Sequence, residues 1–178
     1  RVYEPTTNAM ICTGDGMALA YHAGAPLMDM EFVQFHPTTL KNTGTLLTEG
    51  ARGEGAYLIN KDGERFMQRY APKMMELASR DVVSRSEQTE IDQGRGVDGC
   101  VLLDCRHLGK QLIVERLYQI YEIALDLANV DMPKEPVPVR PGAHYMMGGI
   151  KADVWCRSPM HGLYAAGELT GMAGGHIN

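Results

Sequence analysis

The pattern of hydrophobic and polar positions predicts three helical segments. Thr13–Ala23 is typical of a loop that opens into a helix, with Asp15 near its start and Gly24 beyond its end. Ser79–Gln93 has its apolar residues at helical spacing and an acid in its first turn. Leu108–Asn129 carries a longer apolar stripe, which predicts one long helix packed against the core.

Two strands are predicted between the first and second helices. Apolar residues in Met30–His36 predict a strand that runs into Pro37 and leaves His36 at its end. Ala56–Asn60 predicts a second strand, followed by a turn and a hairpin partner at Arg65–Met67.

The remaining part of the chain favours extended structure. Four prolines make Met132–Gly142 a linker or an edge strand, because proline lacks the N–H that a helix needs. Gly162–Ala166 predicts a last strand, which ends at Gly167 and Glu168. A strand followed by glycine suits a nucleotide-type cofactor at the carboxyl end of a sheet.

Composition narrows the class of protein. The 178 residues are 44% hydrophobic and 22% charged, which excludes a disordered chain. The net charge of −5, without a run of Lys or Arg, disfavours a nucleic-acid partner. Every apolar stretch is broken well before the length that a membrane span requires, and no leader sequence opens the chain. Neither a membrane span nor secretion is therefore expected.

The cysteines indicate a reducing compartment. Cys12, Cys100, Cys105 and Cys156 are too scattered for a disulfide framework, and we expect reduced, mostly buried thiols in a cytosol-like compartment. Cys100 and Cys105 with His107 do not have a standard metal-ligand spacing, so no metal site is predicted.

Both ends resemble cuts within a longer protein. Arg1 stands where an initiator Met would be, and the glycine-rich stretch 167–178 begins like a ligand loop without the element that should follow. We expect the chain to be a piece of a longer protein.

Six motifs occur in an order that is similar to one enzyme family. The segments are Thr13–Gly16, Gln34–Thr38, Thr48–Gly55, Leu77–Val83, Ala143–Gly149 and Gly162–Glu168. In this order they resemble the flavoprotein subunit of succinate dehydrogenase and fumarate reductase, over nearly the whole chain. The segment Leu102–Gly109 favours this subunit over its relative L-aspartate oxidase.

The resemblance implies a fold and a division into domains. In that family an α+β capping domain is inserted between pieces of a doubly wound α/β FAD-binding domain. Residues 1–29 and 146–178 would be parts of the FAD-binding domain, the second one truncated, and residues 30–145 the capping domain. The family's pyrophosphate-binding GxGxxG segment and its covalent flavin-attachment His do not occur in this sequence.

Three residues are predicted to bind substrate. A small dicarboxylate needs hydrogen-bond donors at both ends, which two histidines and a threonine can provide without many buried charges. The resemblance assigns this role to His36, Thr48 and His144. Without the motifs, a histidine beside a proline is more often structural.

The resemblance also assigns a proton path. Arg80, in the Leu77–Val83 motif, would carry a proton to or from the substrate carbon next to the one that exchanges a hydride with flavin N5. Because the pKa of arginine lies far above neutral pH, this proton must be resupplied, and Glu49 and Arg52 match the family's relay. The alternative is a salt-bridge network, and both interpretations can hold together.

Two acids match the family's FAD contacts. Asp15 corresponds to the acid near the ribityl chain, and Glu168 to the acid after the last strand. The alternatives are a helix N-cap for Asp15 and an ordinary loop carboxylate for Glu168.

One segment departs from the family. Where the family continues into His-Gly-Ala-Asn-Arg-Leu-Gly, this chain has residues 174–178, Gly-Gly-His-Ile-Asn. The arginine of that motif clamps a substrate carboxylate, and its position would be the next one. The departure leaves the identity of the dicarboxylate open.

The sequence therefore predicts a fragment of an FAD-dependent oxidoreductase that interconverts succinate and fumarate. The resemblance implies an iron–sulfur subunit and a membrane anchor subunit as partners, and a cytoplasmic location on the inner face of the membrane. Two alternatives stay open: an L-aspartate oxidase-type flavoenzyme and a non-catalytic cap or interaction module.

Overall fold

The computed structural model describes residues 2–171, which contain both helices and strands. In chain order the helices are α1 (Asp15–His22), α2 (Gly50–Gly53), α3 (Met67–Tyr70), α4 (Arg80–Asp92), α5 (Lys110–Arg116) and α6 (Tyr118–Ala128). The strands are β1 (Leu27–Met28), β2 (Val33–Leu40), β3 (Tyr57–Ile59), β4 (Val101–Asp104), β5 (Val137–Met146), β6 (Gly149–Lys151) and β7 (Thr170–Gly171). None of the helices in residues 2–171 has the length and apolar character needed to cross a bilayer.

The chain forms two compact units. The first, unit 1, runs to Phe35 and resumes at Ala143, whereas the second, unit 2, is the continuous segment His36–Gly142. The chain passes from one unit to the other within β2 and again within β5. Assignment of residues 1–29 and 146–178 to an FAD-binding domain and of 30–145 to a capping domain stays a prediction.

Unit 1 is built on a small sheet of order β1-β6-β7, in which β1 and β6 are antiparallel and β6 and β7 are parallel. Strand β6 comes so close to the chain before β7 that a Cβ on Gly149 would clash with the Leu169 carbonyl oxygen. The two pieces of unit 1 also bond directly, because Thr7 N donates to Ala143 O at 2.9 Å and Met147 N donates to Phe32 O at 3.0 Å.

Unit 2 contains the larger core. Its sheet has the order β2-β5-β4-β3, and the β3–β4 and β4–β5 pairs are antiparallel. The fully buried side chains of the core include Leu47, Leu58, Phe66, Met67, Val83, Leu103, Ile113 and Met132. Thr39 Oγ1 donates to Arg140 O at 2.7 Å, which joins the beginning of this unit to its end.

Two of the three predicted helices are confirmed as α1 and α4. The prediction of one helix over Leu108–Asn129 is wrong, because the helix breaks at Leu117 (φ −114°, ψ 22°) into α5 and α6. Leu117 is buried as expected, whereas Leu125 is 38% exposed. The buried residues Ile113, Leu117 and Ile120 keep helical spacing across the break, so periodicity does not reveal it.

Two strand predictions near the first motifs need correction. Strand β2 continues through Pro37 to Leu40, so His36 lies within the strand and not at its end. An outer strand such as β2 tolerates proline, because one side of its backbone has no continuous partner. No strand forms at Arg65–Met67: the chain enters α3, and β3 pairs with β4.

Two further expectations differ from the structure. The proline-rich segment forms β5, an inner strand between β2 and β4 and not an edge. Gly162–Ala166 is not a named strand: Tyr164 pairs with Arg157 in an isolated antiparallel bridge, beside which Ala165 N donates to Cys156 O at 2.9 Å.

Fewer of the cysteines are buried than the sequence predicts. All four are free, and Cys100 and Cys105 are buried, but Cys12 and Cys156 are exposed. Burial raises the pKa of the Cys105 thiol to about 12, which keeps it protonated and unreactive at neutral pH.

Candidate functional site

In unit 2 the structure brings Glu49, Arg52 and Arg80 together. Glu49 precedes α2, Arg52 lies in the last turn of α2, and Arg80 begins α4. Arg80 Nε donates to Glu49 Oε2 at 3.2 Å, and Arg52 Nη2 lies 3.7 Å from the same oxygen. Two arginines from different helices therefore converge on one carboxylate oxygen.

The three groups differ in exposure. The side chain of Glu49 is 58% exposed and that of Arg80 23%, whereas that of Arg52 is 3% exposed. The hydrogen bond from Arg80 and the charges of both arginines lower the pKa of Glu49, against a smaller opposing effect of burial. Burial also lowers the pKa of Arg52, an effect that the negative charges of Glu87, Glu49 and Glu76 oppose.

Arg52 is held in place from one side. Its Nη1 donates to the backbone oxygen of Glu76 at 2.7 Å. Glu76 is itself buried and accepts hydrogen bonds from Leu58 N at 3.2 Å and from Arg65 Nη2 at 2.6 Å. The guanidinium of Arg65 lies 4.0 Å from the Tyr57 ring centre, so the support of Arg52 extends to β3. Glu49, Arg52 and Arg80 thus form a salt-bridge network, and the same three residues are the ones predicted to form a proton relay.

His36 and Thr48 lie on neighbouring segments of unit 2. Leu47 N donates to Thr38 O at 2.9 Å, and Thr38 Oγ1 donates to Leu47 O at 2.6 Å. The Thr38 backbone N–H donates to His36 Nδ1 at 3.2 Å. Because a backbone N–H can only donate, neutral His36 carries its proton on Nε2, as a donor to a carboxylate must. His36 is buried, and Thr48 is exposed.

His144 lies in unit 1, near the end of β5. Its Nδ1 is 2.7 Å from Thr7 Oγ1, and its backbone oxygen accepts a hydrogen bond from Asn8 Nδ2 at 3.1 Å. The ring borders a cavity of about 110 Å³. Bonds to the N-terminal segment therefore fix both the ring and the backbone of His144.

The two predicted FAD contacts, Asp15 and Glu168, also lie in unit 1, and both are exposed. Asp15 Oδ2 accepts a hydrogen bond from Thr13 at 2.9 Å, and Glu168 Oε1 accepts one from Met146 N at 3.0 Å. Their chain neighbours Gly16 and Leu169 are in contact, since a Cβ on Gly16 would lie 3.3 Å from Leu169 Cδ1.

This arrangement fits FAD chemically. Gly14 caps α1 in a left-handed conformation without a side-chain hydrogen bond to the helix, so the first N–H groups of α1 have no side-chain cap. One oxygen of each exposed carboxylate is engaged as described, and carboxylate oxygens are suitable acceptors for the hydroxyl groups of a ribityl chain.

One acid of the cluster was missed by the sequence analysis. Glu87, on α4, is fully buried, and its charge acts on Arg52. A signal was available, because Val83, Glu87 and Glu90 recur at helical spacing and place two acids on the core-facing stripe of α4. The predicted departure at residues 174–178 lies outside the described residues.

Comparisons with known proteins agree with the motifs. The FAD binding domain family matches residues 1–177. The succinate dehydrogenase flavoprotein subunit of Coxiella burnetii is 50% identical over 181 residues, covering 94% of this chain and 31% of that protein. The fumarate reductase flavoprotein subunit of a Serratia species is 48% identical over 185 residues, covering 96% of this chain and 31% of that protein.

Solved structures include a variant of the E. coli quinol fumarate reductase subunit FrdA. It superposes with a TM-score of 0.89 at 46% identity, over 94% of this chain and 31% of that chain. The chain thus spans less than a third of the length of these relatives.

Proposed function

The chain belongs to the FAD-binding domain family, and from this premise we propose that it is part of a flavoprotein subunit that interconverts succinate and fumarate. The names of the relatives support the proposal, since they are succinate dehydrogenase and fumarate reductase flavoprotein subunits. The observation that carries it is the convergence of Arg80 and Arg52 on Glu49.

The reaction requires a hydride and a proton to move at neighbouring carbons. FAD, when bound, accepts or supplies the hydride. Arg80 then gives a proton to the neighbouring carbon during fumarate reduction, or takes one from it during succinate oxidation. Its position as the first residue of a 13-residue helix, with Nε on Glu49, fixes the guanidinium for this role.

Glu49 and Arg52 resupply the proton that Arg80 has given to the substrate. An arginine binds its proton too tightly to act alone, because its pKa lies far above neutral pH. In reduction, the Glu49 carboxylate receives a proton from Arg52 and passes it to Arg80, and water replaces the proton that Arg52 has lost. Burial lowers the pKa of Arg52, which makes this arginine a better proton donor than one in water.

The remaining predicted residues bind the substrate and the cofactor. His36, Thr48 and His144 donate hydrogen bonds to the two carboxylates of the substrate, and the Nε2–H tautomer of His36 supports this role. Asp15 and Glu168 contact the hydroxyl groups of FAD, in agreement with their exposed oxygens.

Unit 2 is proposed to be a capping domain, inserted into the FAD-binding fold to which unit 1 contributes. In the complete protein, electrons would pass to an iron–sulfur subunit, and a membrane anchor subunit would hold the complex on the cytoplasmic face of the membrane. The structural relatives from quinol fumarate reductase support such an assembly.

The test uses the full-length protein that contains this chain. We expect a flavin absorbance spectrum, succinate oxidation with an artificial electron acceptor and fumarate reduction with a chemical reductant. Oxygen-dependent formation of iminoaspartate from L-aspartate, without either of these activities, would support the L-aspartate oxidase alternative. Bound flavin without turnover of any of the three substrates would contradict the proposal.

A further inference from the structure

Helix α4 carries two fully buried glutamates with opposite surroundings. Glu90 accepts hydrogen bonds from Asn60, Arg69, Tyr70 and Arg95, and the bond from Arg95 is the main cause that lowers its pKa to about 2. Glu87, one turn earlier, is just as buried, but neither of its carboxylate oxygens has a hydrogen-bond partner among residues 2–171. Glu90 is therefore a structural anion, and Glu87 is not.

Arg52 likewise has buried polar atoms without hydrogen bonds. Its Nη1 bonds to the backbone of Glu76, but its buried Nε and Nη2 have no hydrogen-bond partner in the described part of the chain. The Glu87 carboxylate is the strongest charge that opposes the effect of burial on Arg52, and within residues 2–171 the charge that acts against burial on Glu87 is that of Arg52.

A buried carboxylate without hydrogen bonds is stable only as the neutral acid. Burial accordingly raises the pKa of Glu87 well above its ordinary value. Below this raised pKa the relay contains Arg52 beside a neutral acid, and above it the relay contains Arg52 beside a carboxylate. A neighbouring negative charge strengthens the hold of Arg52 on its proton.

We propose that Glu87 is a positioning residue of the proton relay: as a neutral acid it lets Arg52 pass a proton to Glu49, and as a carboxylate it keeps that proton on Arg52. The inference rests on the proposed function, which defines the relay. Glu87 does not touch the substrate; it acts through Arg52 and sets the upper pH limit at which the relay works.

Other charged groups surround this pair. Arg52 also experiences the charges of Glu49, Arg80 and Glu76. Cys100, which precedes β4, experiences the charge of Glu87 together with those of Lys41, Asp98 and Arg140. Cys100 also titrates above neutral pH, since burial raises the pKa of its thiol. The variant Cys100→Ser therefore serves to separate the two titrations.

The experiment compares Glu87→Gln with wild type in the full-length flavoprotein. Glutamine copies the neutral acid but cannot ionise, so we expect the alkaline limb of the kcat profile to move up by about one pH unit or more. The matched control is Glu90→Gln, which removes a buried carboxylate one turn away and should leave the position of that limb unchanged. Cys100→Ser should also leave it unchanged.

A second readout does not depend on turnover. In infrared spectra at pH 7, wild type and Glu90→Gln should show the carbonyl stretch of a protonated carboxylic acid, which Glu87→Gln should lack. If this band is absent from wild type, or if Glu87→Gln lowers kcat equally at every pH, Glu87 is a charged partner of Arg52 and the inference is wrong. If the band is present but no succinate or fumarate turnover is found, the proposed function fails instead.

Discussion

Replacing Arg80 by glutamine is expected to slow turnover by about 10²- to 10⁴-fold, the usual contribution of a general acid or base. The structure separates this effect from a loss of stability. The ion pair of Arg80 with Glu49 is 3.2 Å long, and its side chains are 23% and 58% exposed. Pairs this exposed contribute only about 0–1 kcal/mol to the free energy of unfolding. The change in melting temperature should therefore stay within about 4 °C.

The same helix provides a matched control. Arg85 forms an ion pair with Asp81 at 2.7 Å, with side chains 75% and 58% exposed. Arg85→Gln removes the same charge from α4 but does not touch Glu49 or Arg52. We expect kcat of this variant to stay within about twofold of wild type, because surface substitutions of this kind have small effects.

The assay measures kcat and KM for succinate oxidation and for fumarate reduction, together with the melting temperature. A large fall in kcat with little change in KM is expected for Arg80→Gln, because proton transfer occurs only in the transition state. A near-normal kcat would refute the assignment. A rise in KM alone would mean that Arg80 holds a substrate carboxylate and that the proton moves elsewhere.

Three further changes test other parts of the structure. Glu49→Gln should reduce kcat less than Arg80→Gln does and enlarge the solvent isotope effect, since it interrupts resupply and keeps the donor; an unchanged isotope effect would contradict this. His144→Ala should raise KM for the dicarboxylate about 10- to 100-fold, the value of a hydrogen bond to a charged group, whereas the exposed control His22→Ala should not. Glu90 has a pKa of about 2 in place of the ordinary 4.5, so its ionised form contributes up to about 3 kcal/mol. This contribution is present above about pH 4.5 and lost as the pH falls toward 2; Glu90→Gln should lack it in urea unfolding at pH 7 and be less sensitive to acid.

The helices were the most predictable elements, because their signals are local. Gly14 and Asp15 start α1, and Gly94 follows α4 with a left-handed φ of 71°. The strand predictions were wrong where pairing with distant parts of the chain determines whether a strand forms. Pro37 predicts a strand end, but the outer strand β2 accommodates it. Gly162–Ala166 has a strand-like composition, yet it forms an isolated bridge between Tyr164 and Arg157.

The candidate site was predictable only in part, for a physical reason. The motifs name Glu49, Arg52 and Arg80, which the structure brings together. They do not reveal that Arg52 is buried and the other two are not, because burial depends on how α2 and α4 pack. The spacing of Val83, Glu87 and Glu90 places Glu87 on the core-facing stripe of α4, but it does not reveal that Arg52 is the charge beside it, because that depends on the same packing.

The chain leaves unit 1 once, forms all of unit 2 and then returns to unit 1, and this order allows unit 2 to be replaced as a whole. Unit 2 is one continuous segment, and the bond from Thr39 to Arg140 holds its two ends close together. The pieces of unit 1 are bonded to each other on their own account, through Thr7 and Ala143. A continuous segment with adjacent ends can be replaced by another segment, because a short linker suffices to join the two pieces of chain on either side of it. A single recombination event can thus replace the residues of the proposed proton relay while the residues predicted to contact FAD stay as they are.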